Sequence, residues 1–124
     1  MYTDFTQMPV WKKGMDIAVD VFFISNSLPR KEDYALTSQI RRSAESISAN
    51  ISEGFGRAET KDKTMFYKFS RGYETKNHLI YGNLVRYFEL EKTQIIIAQI
   101  ERLIHELNKI IKTLESNLPP TSHP

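Results

Sequence analysis

A long apolar pattern in the last third of the chain constrains the fold most strongly, because only a packed α-helix can bury it. The main stripe alternates spacings of four and three residues, which is typical of a helix-bundle or coiled-coil seam. It consists of Ile96, Ile100, Leu103, Leu107, Ile110 and Leu114. A second stripe at intervals of seven consists of Ile97, Ile104, Ile111 and Leu118. Two stripes on one helix predict two packing surfaces, one inside the protomer and one against a neighbouring copy.

Three further segments have helical spacing and are separated by short connections. The first predicted helix covers about residues 9–27, because Pro9 suits a first helical turn and the residue before Pro29 avoids the helical region. The second runs from about Glu32 to Phe55, and the third begins after an N-cap at Thr60.

The third predicted helix is aromatic-rich and contains two glycines. Its apolar residues are Phe66, Phe69, Tyr73, Ile80, Leu84 and Tyr87, and Gly72 and Gly82 lie within it. No segment alternates with the period of two that a strand requires. Four helices with short connections predict an all-α, antiparallel up-down-up-down four-helix bundle. The surplus apolar surface of the first, third and fourth helices predicts an oligomer.

The length predicts one domain over residues 1–124, with irregular tails at about 1–8 and 118–124. No apolar run approaches the roughly 20 residues of a membrane span. The N-terminus has an early acid, Asp4, and is not expected to be a secretory signal. The chain has no cysteine, which excludes disulfides and thiolate metal sites. These features together favour the cytoplasm.

The formal charge of +2 is too small to indicate nucleic-acid binding by itself. Its distribution is uneven. Residues 30–76 carry ten basic and seven acidic residues, an excess of three positive charges. Residues 1–29 carry two basic and three acidic residues, and residues 77–124 carry five of each. The positive excess therefore lies in the second predicted helix, the following loop and the start of the third.

The second predicted helix has an apolar stripe flanked by polar groups. The stripe consists of Leu36, Ile40, Ala44, Ile47 and Ile51. Gly54 and Gly56 are expected to end the helix, because glycine accepts the left-handed conformation of a C-terminal cap. Glu53 and Arg57 are four residues apart and are expected to form a pair.

The strings Gln-Ile-Arg-Arg-Ser-Ala at 39–44, Ser-Ile at 46–47 and Asn-Ile-Ser-Glu-Gly-Phe-Gly-Arg at 50–57 carry a family resemblance. They resemble the signature of the bacterial four-helix-bundle family encoded in intervening sequences of 23S ribosomal RNA genes. A related branch contains the accessory variability proteins of diversity-generating retroelements. The resemblance implies a four-helix protomer, a ring-shaped homopentamer and a nucleic-acid-binding function.

Asn50, Glu53, Gly54 and Arg57 form the first candidate site. One interpretation is structural, with an Asn–Glu–Arg network that holds the corner between the second and third helices. The other is a ligand or RNA contact. The structural interpretation is favoured, because structural ion-pair networks imitate active sites. Replacement of Arg57 separates these interpretations, since a structural residue is needed for folding and a functional one for binding.

A basic group forms the second candidate site and consists of Arg41, Arg42, Arg57, Lys61, Lys63, Lys68 and Arg71. It is either a solvated face interleaved with Glu45, Glu59 and Asp62 or a surface that contacts phosphates. In the second case Phe55, Phe66 and Tyr67 are available for base stacking. A pentamer would repeat this surface five times and sum its field.

Metal binding and catalysis receive little support. Glu74 and His78 are four residues apart, as are Glu101 and His105, whereas a di-iron bundle site requires Glu-x-x-His pairs. We therefore expect an acid–histidine pair on each helix and neither a metal nor another cofactor. The serines of the second helix have no histidine nearby in sequence, and no phosphate-binding or dinucleotide-binding motif is present. The chain is not expected to be an enzyme.

These observations favour a non-enzymatic accessory protein that binds RNA or DNA as a homo-oligomeric ring with a repeated basic surface. The alternative is a scaffold or adaptor ring that binds another protein and no nucleic acid. The expected partners are copies of the chain itself, in a pentamer, together with nucleic acid or another protein. No membrane partner is expected.

Overall fold

All regular structure in the computed structural model, which describes residues 1–119, is helical. The α-helices are α1 (Pro9–Ser25), α2 (Leu36–Gly56), α3 (Thr60–Phe69), α4 (Tyr73–Leu84) and α5 (Leu90–Ser116). Two short 3-10 turns, Phe5–Gln7 and Arg30–Glu32, precede α1 and α2. Both α3 and α4 pack against α2 and α5, so together they occupy the place of one helix. The predicted all-α, four-helix bundle is confirmed, with its third helix broken in two.

The prediction of one continuous third helix is wrong, because the chain turns between α3 and α4. Gly72 has φ +80° and ψ 17°, a left-handed conformation that glycine adopts without steric cost. A Cβ at this position would lie 3.1 Å from Ile47 Cδ1 and 3.3 Å from Ile100 Cγ2. The break therefore brings backbone close to side chains of α2 and α5.

The start of α2 also differs from the sequence prediction. The sequence predicts a second helix from about Glu32, but residues 30–32 form a separate 3-10 turn and α2 begins at Leu36. The Leu36 N–H donates to Glu32 Oε1 at 3.3 Å, and the Tyr87 hydroxyl donates to Glu32 Oε2 at 2.8 Å. Glu32 thus binds the first turn of α2 from outside the helix and is not part of it.

The ends of α1 and α2 lie close to their predicted positions, whereas the predicted cap of α2 does not form. α1 ends at Ser25 and α2 at Gly56, within two residues of the predicted ends. The expected left-handed glycine cap of α2 is wrong, because Arg57 follows with φ −76° and ψ 142°, an extended conformation. Among residues 1–119, only Gly72 and Arg86 have positive φ.

The main stripe of α5 fills the centre of the core. Ile96, Ile100, Leu103 and Leu107 are buried, and they meet the buried stripe of α2 and Ile17 and Val21 of α1. Beyond Leu107, Ile111 replaces Ile110 as the buried residue. The second stripe, expected on a separate surface, is partly buried against this same core at Ile97 and Ile104.

The predicted irregular lead at residues 1–8 contains a capped turn. The Asp4 side chain accepts from the Thr6 N–H, and the Gln7 side chain bonds back to the N-cap backbone. Met8 is buried, and the rings of Phe5 and Trp11 lie 5.6 Å apart. The lead therefore packs against α1. Of the predicted C-terminal tail, residues 120–124 lie outside the described part of the chain.

None of the helices within residues 1–119 combines the length and the apolarity that a membrane crossing requires.

Candidate nucleic-acid interface

The corner between α2 and α3 is built around Gly54. A Cβ on Gly54 would lie 2.8 Å from Tyr67 Cε1 and 3.2 Å from Phe66 Cβ. Only a residue without a side chain lets α3 cross α2 at this distance. Gly54 therefore acts in helix packing and not as a cap.

Glu53 and Arg57 form the pair that their spacing predicted. Arg57 Nη2 lies 3.0 Å from Glu53 Oε1, and the guanidinium carbon lies 4.7 Å from the centre of the Phe66 ring. Asn50 does not join this network, because its Nδ2 donates to the Ser46 carbonyl at 2.9 Å. The predicted Asn–Glu–Arg network is thus reduced to a Glu–Arg pair stacked on an aromatic ring.

Two of the predicted nucleic-acid-binding residues bind helix ends. Arg41 Nε donates to Ser25 Oγ at 2.7 Å, and Arg41 Nη2 donates to Asn26 Oδ1 at 2.8 Å. Lys63 Nζ donates to the carbonyls of Gly54 and Phe55, at 3.2 and 2.7 Å. Cations at these positions satisfy unpaired carbonyls or oppose the negative end of a helix dipole. Both residues therefore have structural contacts that account for their charge.

Two others connect the third helix of the bundle to α5. Lys68 Nζ lies 2.8 Å from Glu115 Oε2. Arg71 Nη1 donates to Asn108 Oδ1 at 3.1 Å, and its guanidinium lies 5.6 Å from the Tyr73 ring centre. These side chains remain partly accessible, but each already has a partner within the protomer.

Arg42 and Lys61 are the basic residues of the group that remain uncommitted. Both are exposed, and neither side chain has a hydrogen bond or ion pair within residues 1–119. Lys61 lies in the first turn of α3, close in sequence to Arg57 at the α2–α3 corner. We call Arg57, Lys61 and Phe66 the corner surface.

The predicted stacking residues differ in accessibility. Tyr67 is buried, and this burial raises the pKa of its hydroxyl, so the expectation that Tyr67 stacks on bases is wrong. Phe55 and Phe66 are half-buried, and each carries a cation over its ring. Phe69 and Tyr73, which were not singled out for stacking, are the more exposed aromatic residues on this side of the fold. Tyr67 is buried and Phe69 is exposed because α3 packs on α2 through the helix face that carries Tyr67.

A cleft between α2 and α4 contains a polar group that the sequence analysis did not identify. Its polar lining consists of Glu32, Gln39, Asn77, His78 and Tyr81, and its volume is ≈ 290 Å³. His78 Nε2 lies 3.3 Å from Glu74 Oε2, as their spacing predicted. The Tyr87 hydroxyl bonded to Glu32 has a raised pKa, first because of that hydrogen bond.

The second acid–histidine pair is not formed. Glu101 pairs with Lys76 of α4, at 3.2 Å between Oε1 and Nζ, and not with His105 of its own helix. Within residues 1–119, no group of three or more histidine, aspartate or glutamate side chains is arranged to hold a metal ion.

Exposed apolar side chains concentrate at one end of the bundle. At this end α1 finishes, α2 begins, and α4 turns into α5. The end carries Phe22, Phe23, Tyr34, Tyr81, Leu84, Val85, Leu90 and Ile95. The contact of Tyr87 with Glu32 confirms that both connections lie at the same end. The corner surface lies at the other end of α2, whereas Arg41 of the basic group lies at the apolar end, with its guanidinium carbon 4.6 Å from the centre of the Phe22 ring.

Most of the chain matches one known protein family. Residues 6–109 match the family model described as the 23S rRNA-intervening sequence protein. The chain belongs to that family. The resemblance carried by residues 39–57 is therefore confirmed over most of the sequence.

One solved structure shows the same fold as this 23S rRNA-intervening sequence family member. It is a protein with unknown function from the S23 ribosomal protein family of Bacteroides thetaiotaomicron VPI-5482. Its TM-score is 0.76 at 24% sequence identity, over 83% of this chain and 98% of that chain. At this identity the likeness establishes the fold alone. No curated protein matches the chain significantly.

Proposed function

We propose that this family member is a non-enzymatic, cytoplasmic RNA-binding accessory protein that works as a homopentameric ring. The observation that carries the proposal is the corner surface, where the Arg57 guanidinium stacks on Phe66 at 4.7 Å and Lys61 is uncommitted. A guanidinium held on a ring is pre-oriented for a phosphate, which would replace Glu53, 3.0 Å away, as the partner of Arg57. The partly exposed Phe66 beside it is available to a base.

Assembly into a ring would raise the affinity of the corner surface for RNA. The formal excess in residues 30–76 is only three positive charges per chain, and several of the cations there already have partners. Five copies around one axis would repeat the corner surface and sum its potential. The exposed apolar side chains at the opposite end, among them Phe23 and Leu84, supply surface for contacts between protomers.

We also infer that the four helices run up-down-up-down. Paired residues support this arrangement. Lys13 of α1 pairs with Glu106, and Asp20 further along α1 accepts from Gln99, so the two helices are matched in opposite directions. Lys68 with Glu115 and Lys76 with Glu101 give the same order for the third helix against α5.

The proposed function is tested by a fluorescence titration of structured RNA with the purified protein at low and at physiological salt. We expect binding that weakens steeply with salt, because each neutralised phosphate releases counterions. Lys61→Ala should weaken binding and reduce the salt dependence. Lys112→Ala removes an exposed lysine of α5 and serves as the matched control. Absence of binding at low salt, or equal losses in the two variants, would contradict the proposal.

A protein scaffold is the second candidate function. The observation that favours it is the apolar end of the bundle, where Leu84 is 74% and Phe23 64% exposed. If this end binds another protein, Phe23→Ser should abolish that capture. A low ratio of absorbance at 260 and 280 nm in the purified protein, together with a stoichiometric protein partner, would favour this candidate over RNA binding.

A further inference from the structure

The α2–α4 cleft is lined by groups that match one chemical class of ligand. Gln39 and Asn77 present side-chain amides, each with donors and an acceptor. Both amides are exposed, and neither has a hydrogen-bond partner within residues 1–119. A ligand that hydrogen-bonds to both amides must carry donors and acceptors along one edge.

Glu32 adds an acceptor to this lining. Its carboxylate accepts from the Leu36 N–H and the Tyr87 hydroxyl, at 3.3 and 2.8 Å. A carboxylate has about four lone-pair sites, so two remain for a ligand. The two existing bonds fix the orientation of Glu32 before any ligand arrives. The site therefore favours a ligand that carries an amino group.

The other two groups of the cleft are rings. Tyr81 is half exposed, and the imidazole of His78 is largely buried and bonded to Glu74. They are the two ring-bearing side chains of the cleft lining. A volume of ≈ 290 Å³ is at the small end of ligand pockets and suits one planar heterocycle.

Arg42 is a residue of α2 that does not itself line the cleft. It follows Gln39 by three residues, so the two side chains share a helix face. Arg42 is exposed and uncommitted within the described chain. Arg42 is therefore the cation on this face of α2 that is available for a phosphate attached to a ligand in the cleft.

We propose that the α2–α4 cleft binds a single unstacked nucleobase of an RNA strand, with Arg42 on the adjoining phosphate. This inference rests on the RNA-binding function proposed above and assigns it a second, base-reading site. Glu32 favours bases with an exocyclic amino group, and a side-chain amide pairs with N6 and N7 of adenine. Adenine is therefore the preferred base and uracil the poorest.

The experiment is a ligand-observed NMR titration of adenosine and uridine 5′-monophosphates with the wild-type protein and four variants. Tyr81→Ala and Gln39→Ala remove cleft groups. Tyr2→Ala is the matched control for the tyrosine, because Tyr2 is 46% exposed against 50% for Tyr81, and Gln94→Ala is the control for the amide. We expect adenosine monophosphate to bind more tightly than uridine monophosphate. The cleft variants should lose about tenfold in affinity, with both controls unchanged.

The inference is overturned if neither monophosphate binds, or if both cleft variants, folded by circular dichroism, bind as the wild type does. Duplex RNA titrated in parallel separates this result from the proposed function, since its bases are not available to the cleft. Salt-sensitive duplex binding without monophosphate binding would remove the cleft site and leave RNA binding through the corner surface. Cleft-dependent monophosphate binding without any RNA binding would overturn the RNA function and leave a mononucleotide site.

Discussion

The Ser43 hydroxyl of α2 lies 2.9 Å from the Thr75 hydroxyl of α4, and both side chains are buried. Ser43 Oγ also donates to the Ile40 carbonyl at 3.0 Å. Because a serine has one hydroxyl proton, Thr75 must be the donor of the shared bond. This pair joins α4 to α2 directly after the break at Gly72.

Thr75→Val should lower the free energy of unfolding by about 1 kcal/mol, because it removes one buried hydrogen bond and keeps the shape. Ser43 keeps its own bond to Ile40. Ser43→Ala should cost more, about 2 kcal/mol, because it leaves the Thr75 hydroxyl buried without an acceptor.

The double variant should cost less than the sum of the two single changes, by about 1 kcal/mol, when all three are measured by urea unfolding. A coupling energy of zero would show that the two hydroxyls do not bond in solution.

Gly54→Ala should destabilise the protein by about 2 kcal/mol, because the added Cβ overlaps Tyr67 and Phe66 at the α2–α3 corner. Gly56 is the matched control, since a Cβ there has no neighbour within 4 Å. Gly56→Ala should be neutral or stabilising by about 0.5 kcal/mol. Thermal unfolding of both variants checks this prediction, and equal effects would contradict the close-approach role of Gly54.

The sequence predicts the helices well because helix periodicity is a local property. The buried stripe from Ile96 to Leu107 follows directly from its spacing. The break between α3 and α4 does not, since a glycine inside a helical pattern fits a continuous helix equally well. The need for Gly72 arises from Ile47 and Ile100, which approach from two other helices.

Long-range partners explain the remaining differences. The local pattern places Glu32 in the second helix, because its bond to Tyr87, 55 residues away, cannot be inferred from that pattern. At the candidate site, the Glu53–Arg57 pair follows from a spacing of four, whereas Arg41 binds the end of α1 only because of how α1 crosses α2. The sequence shows where the charged residues lie along the chain, but only the packing shows which of them have no partner within the described part of the protomer.

Arg41 and Arg42 are neighbours in sequence, but we expect replacement of Arg41 to lower stability and replacement of Arg42 to weaken RNA binding. Arg41→Ala should lower stability by about 1 kcal/mol, because its hydrogen bonds to Ser25 and Asn26 hold the end of α1. Arg42→Ala should leave stability within about 0.5 kcal/mol of wild type. It should instead weaken binding of single-stranded RNA and reduce the salt slope by about 0.7, the value for one phosphate contact. Unfolding curves and RNA titrations of both variants test this difference, and a folding defect in Arg42→Ala would contradict it.

Tyr87 should make the protein sensitive to alkaline pH. Its pKa is raised above the ordinary value of 10.0, first by the hydrogen bond to Glu32. A group with a raised pKa in the folded state contributes stability that is present below the unfolded pKa and is lost as pH rises through the folded pKa. Stability should therefore fall above about pH 10, and Tyr87→Phe should reduce that fall. Urea unfolding of both proteins between pH 8 and 11 measures it, and parallel pH profiles would contradict the role of Tyr87.

Arg86 provides a route to a more stable protein. It ends α4 with φ 68°, while the Arg86 and Tyr87 N–H groups donate to the carbonyls of Asn83 and Gly82 at 3.0 and 2.8 Å. These two bonds define a Schellman motif, whose left-handed position normally holds glycine.

The left-handed conformation costs an ordinary residue roughly 1–2 kcal/mol, and glycine loses roughly 0.4–1 kcal/mol in unfolded-state entropy. Arg86→Gly should therefore raise the free energy of unfolding by about 0.5–1 kcal/mol. Val85→Gly, at an ordinary φ of −87°, is the matched control and should lower it by up to about 1 kcal/mol. Opposite signs in urea unfolding would establish that Arg86 is held in an unfavourable conformation, and a loss of stability in both variants would contradict it.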